Sequence, residues 1–225
     1  MKRFTSNRNV FLADLARGLD VLDVGCVDHD MHTRMDGNWL HDSLRHTAKN
    51  IVGIDYEADY IQKLQAEGYN VLCADATCFD LSRQFDVIVA GELLEHLANA
   101  GRFLICARRH LRPGGKLVLT MPNAVCLNYF VQNLLKGHEL DNPDHCCLYS
   151  ETTLRCLLKR YGFHVEQVVY YPELGAAEQG SLMNWLSWWG RQVTQYACAP
   201  LRPSLCHHFI TIARLDSNSC GEKNP

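Results

Sequence analysis

Three short apolar runs in the first part of the chain end on acidic residues. The first closes as Val21-Leu22-Asp23-Val24-Gly25-Cys26, the second on Asp55 followed by Tyr56, and the third is followed by Asp75-Ala76. In an open α/β sheet, ligands sit outside the carboxyl ends of the strands. Such ends are where these side chains could do chemistry. Gly25 lets the backbone approach a ligand closely, and Asp23 before it can accept hydrogen bonds from a cationic amine or from ordered water. Asp55 can take both hydroxyls of a ribose. Asp75 can accept from an exocyclic adenine amine, while Ala76 leaves room for the ring. Singly, each acid also fits a helix cap or a turn. Together, at successive strand ends, they are spaced for an adenosine.

Those positions require strands, and the patterning supplies them. Short apolar runs alternate with helical patterns, the mark of a parallel sheet with crossover helices. Strands are expected at Leu19–Val24, Ile51–Ile54, Tyr69–Ala74, Phe85–Ala90, Lys116–Met121, Phe163–Tyr170 and Leu205–Ala213. Helices are expected at Trp39–Lys49, Tyr56–Glu67, Ala98–Leu111 and Ala124–Lys136, and from an N-cap at Ser150 to Tyr161, closed by Gly162. Pro113-Gly114-Gly115 reads as the turn into the fifth strand. The range 172–203, with Trp185, Trp188 and Trp189, is too long for a plain turn and reads as a lid or a docking surface, for substrate or for a second copy in a homodimer.

Composition sets the frame. The chain has 225 residues, 47% of them hydrophobic and 21% charged, which suits one domain over 1–225. The formal net charge of −3 gives no basic excess to hold a phosphate backbone, so nucleic acid is not expected as a partner. The 11 cysteines are irregularly spaced with no CxxC, which reads as reduced thiols packed as small apolar groups. The amino end lacks a continuous apolar run, and no stretch approaches the ~20 apolar residues of a bilayer span. A cytoplasmic protein without membrane insertion is expected.

Taken in order, VLDVGC, IVGIDYE, ADATCFDL, FDVIVAGELLEHLAN and LRPGGKLVLTMPN resemble the successive motifs of the class I S-adenosylmethionine-dependent methyltransferases, from Val21 to Asn123. The later NPDHCCLYSETTLRCLLKRYGF is similar to the region after strand five in small-molecule members. The resemblance implies an α/β, Rossmann-like seven-stranded sheet of order 3-2-1-4-5-7-6, its last strand antiparallel, with helices on both faces. It implies S-adenosylmethionine as cofactor. On its motifs, Asp23 and Gly25 with Cys26 match the first, Asp55 with Tyr56 the ribose-binding acid, and Asp75 with Ala76 the adenine-binding acid. Gly91 and Glu92 match the stretch lining the cofactor's methionine end. One departure is the missing further glycines: Gly25 is followed by Cys26-Val27-Asp28-His29-Asp30, and the next glycine is Gly37. A dinucleotide enzyme needs a tight glycine loop for its pyrophosphate. A sulfonium cofactor has no phosphate, so the departure weighs against an NAD-dependent oxidoreductase.

A hydroxyl acceptor would call for a base near the carboxyl ends of strands four and five. Glu92, Glu95 and His96 follow strand four, and Glu92 and His96 would share a helical face. His96 titrates nearest neutral pH. His145, in Asn142-Pro143-Asp144-His145, lies where substrate-facing loops are expected, with Tyr149 a further candidate. Each also has a structural reading, as cofactor anchor, helix-start partner or loop fixer. Asp28, His29, Asp30 and His32, and again His145-Cys146-Cys147, are rich in ligand atoms, but neither has the spacing of a structural zinc site, and no metal is expected. The chain has Ala90-Gly91-Glu92-Leu93 where methylases of exocyclic nucleic-acid amines carry an Asn/Asp-Pro-Pro-aromatic motif, and no cysteine follows a proline. The expected acceptor is therefore a small molecule or a carbohydrate, methylated on oxygen. A regulator that binds the donor without catalysis is the alternative.

Overall fold

Runs of Val, Ile and Leu form strands whose two faces must both be covered. In the computed structural model, which describes residues 4–27, 37–137, 142–172 and 202–216, β1 (Asp20–Val24) is buried at all five positions. β2 (Asn50–Asp55), β3 (Val71–Cys73), β4 (Phe85–Gly91), β5 (Leu111–Pro122), β6 (Phe163–Tyr171) and β7 (His208–Leu215) complete a seven-stranded sheet of order β3-β2-β1-β4-β5-β7-β6. β1 to β5 pair in parallel. β7 enters between β5 and β6 and runs antiparallel to both. Order and direction agree with the expectation from the resemblance.

Side chains alternate between two cores. Leu22, Val24, Ile88, Ala90, Leu117 and Leu119 meet Phe103, Leu104 and Ala107 of α4 (Ala100–His110) and Leu154 and Leu158 of α6 (Glu151–Arg160). On the other face, Val21, Val87, Val89 and Val118 meet Leu12 and Ala16 of α1 (Arg8–Ala16) and Leu44 of α2 (Leu40–Arg45). Ile61 and Leu64 of α3 (Ala58–Ala66) close over Val71 and Cys26. α5 (Leu127–Lys136) ends on Gly137 at φ +75°, a left-handed cap that suits glycine. No helix of the described residues is long and apolar enough to cross a membrane.

Three details depart from the sequence expectation. α1 was not foreseen; Asn7 caps it by accepting from the Val10 amide at 3.0 Å. β5 begins at Leu111 and carries Pro113-Gly114-Gly115 within it, accommodated by an irregular register between Phe85 and Val87 of β4. β7 starts at His208, because Pro203–Leu205 forms a 3₁₀ turn ahead of it. The lid or docking surface read in 172–203 and the ligand-rich loop at Asp28 to His32 lie, but for the ends of the former, outside the described residues.

Candidate active site

The carboxyl end of the sheet is built by main-chain hydrogen bonds. Gly25 leaves β1 at φ +78°, and a Cβ there would come 3.2 Å from Leu93 Cδ1. Both features favour glycine. The Gly25 and Cys26 amides donate to the Ile54 carbonyl at 2.9 and 3.2 Å, and the Val27 amide donates to Asp55 Oδ2 at 3.0 Å. The loop after β1 is thus laid across the end of β2. Trp39 Nε1 pins it by donating to the Cys26 carbonyl at 2.9 Å. Asp55 Oδ1 accepts from the Glu57 amide at 3.2 Å. Amides therefore orient both oxygens of Asp55, and a carboxylate oxygen has lone pairs for more than one donor.

Asp23 lies one strand over and is buried. Its Oδ2 meets His41 Nδ1 of α2 at 2.9 Å. Asp75 follows β3 in an Asx turn, accepting from the Thr77 amide at 2.7 Å. That amide, with the Thr77 hydroxyl, holds the Asp75 carboxyl below its ordinary value. Ala76 beside it is half-buried. Tyr56 is exposed; partial burial, Glu57, and the charges of Asp55 and Asp144 push its phenol up.

Gly91 and Glu92 form the exit of β4. A Cβ at Gly91 would come 2.8 Å from Leu40 Cδ2. Glu92 has φ +49°, a conformation that an ordinary side chain adopts only when its surroundings impose it. The surroundings do. Its amide donates to the Thr120 carbonyl at 2.9 Å, and its carboxylate accepts from Thr120 Oγ1 at 2.7 Å and the Tyr171 hydroxyl at 2.8 Å. Arg8 of α1 and His208 of β7 each stand 3.4 Å from the carboxylate. Burial pushes the Glu92 carboxyl up, but His208, Arg8, Thr120 and Tyr171 outweigh it and hold the group below the ordinary carboxylate range. Arg8, Thr120, Tyr171 and His208 were not found by sequence reasoning; no local spacing links residues from α1, β5, β6 and β7.

Past Glu92 the chain makes a 3₁₀ turn, Leu94–His96. The Cys146 and Cys147 amides donate to the Glu95 carbonyl at 2.7 and 3.2 Å, stitching the 142–149 loop to this turn. The stitch brings His145 to His96, ring centroids 4.6 Å apart and nearly perpendicular. Glu95 is buried, 1% exposed, and its carboxylate and the two imidazoles present ligand atoms all within 4.8 Å of one another. Sequence reasoning singled out each of these residues but did not group them, since His145 reaches the cluster only through the loop. Tyr149 joins Asn123 in an isolated bridge. Burial first, then Cys147 and Glu95, push its phenol up to about 12, away from the range of a base at neutral pH.

At the other end of the sheet, a cavity of about 460 Å³ is lined by Asp80, Arg83, Arg109, His110 and Arg112 among others. It lies at the amino ends of β4 and β5, where this sheet class does not place its ligands.

Comparison with known proteins agrees with this fold. The family model described as a methyltransferase domain matches residues 2–168. The chain is 31% identical over 123 residues to the mitochondrial ubiquinone biosynthesis O-methyltransferase of Rattus norvegicus, which covers 50% of this chain and 33% of that protein. It is 28% identical over 185 residues to the ubiquinone biosynthesis O-methyltransferase of Nitrobacter winogradskyi, covering 74% and 66%. The chain thus spans about a third of the rat protein and under two thirds of the bacterial one. Among solved structures, a SAM-dependent methyltransferase from Archaeoglobus fulgidus superposes with a TM-score of 0.60 at 20% identity, covering 90% of this chain and 89% of the other. Magnesium protoporphyrin IX methyltransferase from Synechocystis, solved with bound SAH, gives 0.57 at 15% identity, covering 92% and 78%. These two likenesses speak to the fold.

Proposed function

This chain belongs to the class I S-adenosylmethionine-dependent methyltransferase family, and on that premise we propose that it transfers the methyl group of S-adenosylmethionine to a hydroxyl oxygen of a small molecule. One observation carries the reading. Gly25, Asp55 and Asp75 stand at the carboxyl ends of three adjacent strands, beside the switch point between β1 and β4. The donor chemistry fits a nucleoside without phosphate. Pyrophosphate sites aim loop amides at the anion. Here the amides of Gly25, Cys26 and Val27 go to Ile54 and Asp55 instead.

Asp55 would receive the ribose hydroxyls, Asp75 and Ala76 the adenine, and the Gly25–Cys26 backbone with Gly91 the methionine portion. When bound, the cofactor supplies a methyl group already activated on a sulfonium. The chain's own task is to position the acceptor and to accept its proton. Glu92 is fixed by Thr120 and Tyr171 and held ionised, which suits a residue that shapes the β4 exit rather than one that cycles a proton. The cluster of Glu95, His96 and His145 is the place where the acceptor's proton is withdrawn. Relatives named for O-methylation in ubiquinone biosynthesis support oxygen as the methylated atom.

The test is calorimetric titration with S-adenosylmethionine, S-adenosylhomocysteine and NAD, repeated on Asp55→Ala. Losing a charged acceptor to two hydroxyls weakens binding by ~1.5–3 kcal/mol, roughly 10- to 150-fold. The first two ligands are expected to bind the native chain, and weakly the variant. Binding of NAD alone would refute the reading. Binding without S-adenosylhomocysteine release over a panel of phenolic and aliphatic hydroxyl acceptors would favour the regulator.

A further inference from the structure

We propose that Trp39, Leu40 and His41, around the start of α2, form a clamp that sets the end of the pocket meant for the cofactor's amino-acid portion, with His41 as a positioning residue that acts through Asp23. Three consecutive side chains reach three different elements. Trp39 Nε1 donates to the Cys26 carbonyl at 2.9 Å and so holds the loop after β1. Leu40 closes on the β4 exit, where a Cβ at Gly91 would come 2.8 Å from its Cδ2. His41 Nδ1 meets Asp23 Oδ2 on β1 at 2.9 Å. The chain carries no glycine between Gly25 and Gly37, so the start of this loop depends on side-chain ties more than on glycine turns.

His41 is fully buried and Asp23 is 2% exposed. An ionised carboxylate only accepts, so Nδ1 carries the shared hydrogen. Nε2 is buried and makes no hydrogen bond among the described residues. An apolar ring would fill the same space, against Trp39 and Tyr69 and beside Gly53, without leaving a nitrogen unpaired. The imidazole is therefore explained by its one bond to Asp23. That bond holds a negative charge two residues before Gly25. The charge is felt in the loop: burial first, then Asp23 and Asp55, push the Cys26 thiol up. A field that disfavours a thiolate favours a cation, and the amino-acid portion of S-adenosylmethionine carries an ammonium near its sulfonium. The clamp rests on the cofactor reading above and assigns a side chain that reading does not use.

The experiment titrates the native chain, His41→Phe and His41→Asn in a calorimeter with S-adenosylmethionine, S-adenosylhomocysteine and methylthioadenosine, which keeps the nucleoside and lacks the amino-acid portion. His41→Phe keeps a ring against Trp39 and removes the donor. It is expected to weaken the first two ligands at least about tenfold, the scale of a lost hydrogen bond to a charged group, and to leave methylthioadenosine within about two-fold. His41→Asn can still donate to Asp23 through its amide and is expected to stay within about three-fold of the native chain for all three. Asp23→Asn keeps the size, removes the charge and is expected to show the same ligand-selective loss as His41→Phe, so the question stays open to test even if the phenylalanine does not fold. A loss that strikes methylthioadenosine as hard as S-adenosylmethionine, an equal loss in His41→Phe and His41→Asn, or no loss in either His41→Phe or Asp23→Asn overturns the clamp while the cofactor reading stands. A native chain that binds none of the three ligands overturns the cofactor reading and the clamp with it.

Discussion

Among single residues, Glu92 shows how one position joins strain, charge and site geometry. Its φ of +49° is unfavourable for a side chain with a Cβ. Bonds to Thr120 and Tyr171, with Arg8 and His208 nearby, hold it there. Its carboxyl lies below the ordinary value in the folded protein. A depressed carboxyl contributes stability that is present above the unfolded pKa of about 4.3 and is lost as pH falls through the folded value. Glu92→Gln keeps the shape and removes the charge. Urea unfolding at pH 7 should show a loss of ~1–3 kcal/mol, the usual cost of breaking a charged hydrogen-bond network. Repeated near pH 3.5, the difference between variant and native protein should shrink. A constant difference across that range would mean that the charge is not what holds the turn.

At the scale of elements, the Ser150 cap and the carboxyl ends of β1 to β4 were legible from sequence and the contacts between distant segments were not. Ser150 reads as an N-cap, and the structure gives it a capping box: its hydroxyl accepts from the Thr153 amide at 3.2 Å while Thr153 Oγ1 accepts from the Ser150 amide at 2.9 Å. Ser150→Ala should therefore cost ~1 kcal/mol in chemical denaturation. α6 packs Leu154 and Leu158 into the main core, so this loss should register in the global transition rather than as local fraying. Asp55 and Gly25 were legible because local chain geometry puts them at strand ends. β5 was not fully legible: Pro-Gly-Gly is a turn signal, and only the irregular pairing with β4 lets the strand run through it. The Glu95–His96–His145 grouping was invisible for a related reason. It depends on two amide bonds to one carbonyl, which no spacing rule encodes.

In the whole molecule, a charged network occupies the end of the sheet opposite the proposed ligand site. At the amino ends, Arg112 meets Asp20 and Asp86 at 2.8 Å each, and Asp20 also accepts from Asn50 at 2.6 Å. Asn50 and Arg112 hold the Asp20 carboxyl below its usual value, and the Asp20 amide and Arg112 do the same for Asp86. Both groups therefore add stability above the ordinary Asp value of about 3.9, and it drains away as pH falls through their folded values. Asp55 and Asp75, the acids proposed to hold the cofactor, lie at the far end. Strands rise ~3.3 Å per residue, so Asp86 and Gly91 on β4 are about 17 Å apart. Arg112→Ala should lower the thermal midpoint at pH 7 and flatten its decline between about pH 4 and 2, because Asp86 then loses its guanidinium partner and Asp20 keeps only the more distant Arg83, at 3.8 Å. Cofactor affinity should stay within about two-fold of the native value, as expected for sites that share no contacts. A variant that keeps its midpoint but loses S-adenosylmethionine would reverse this division, and would place the ligand in the arginine-lined cavity between the starts of β4 and β5.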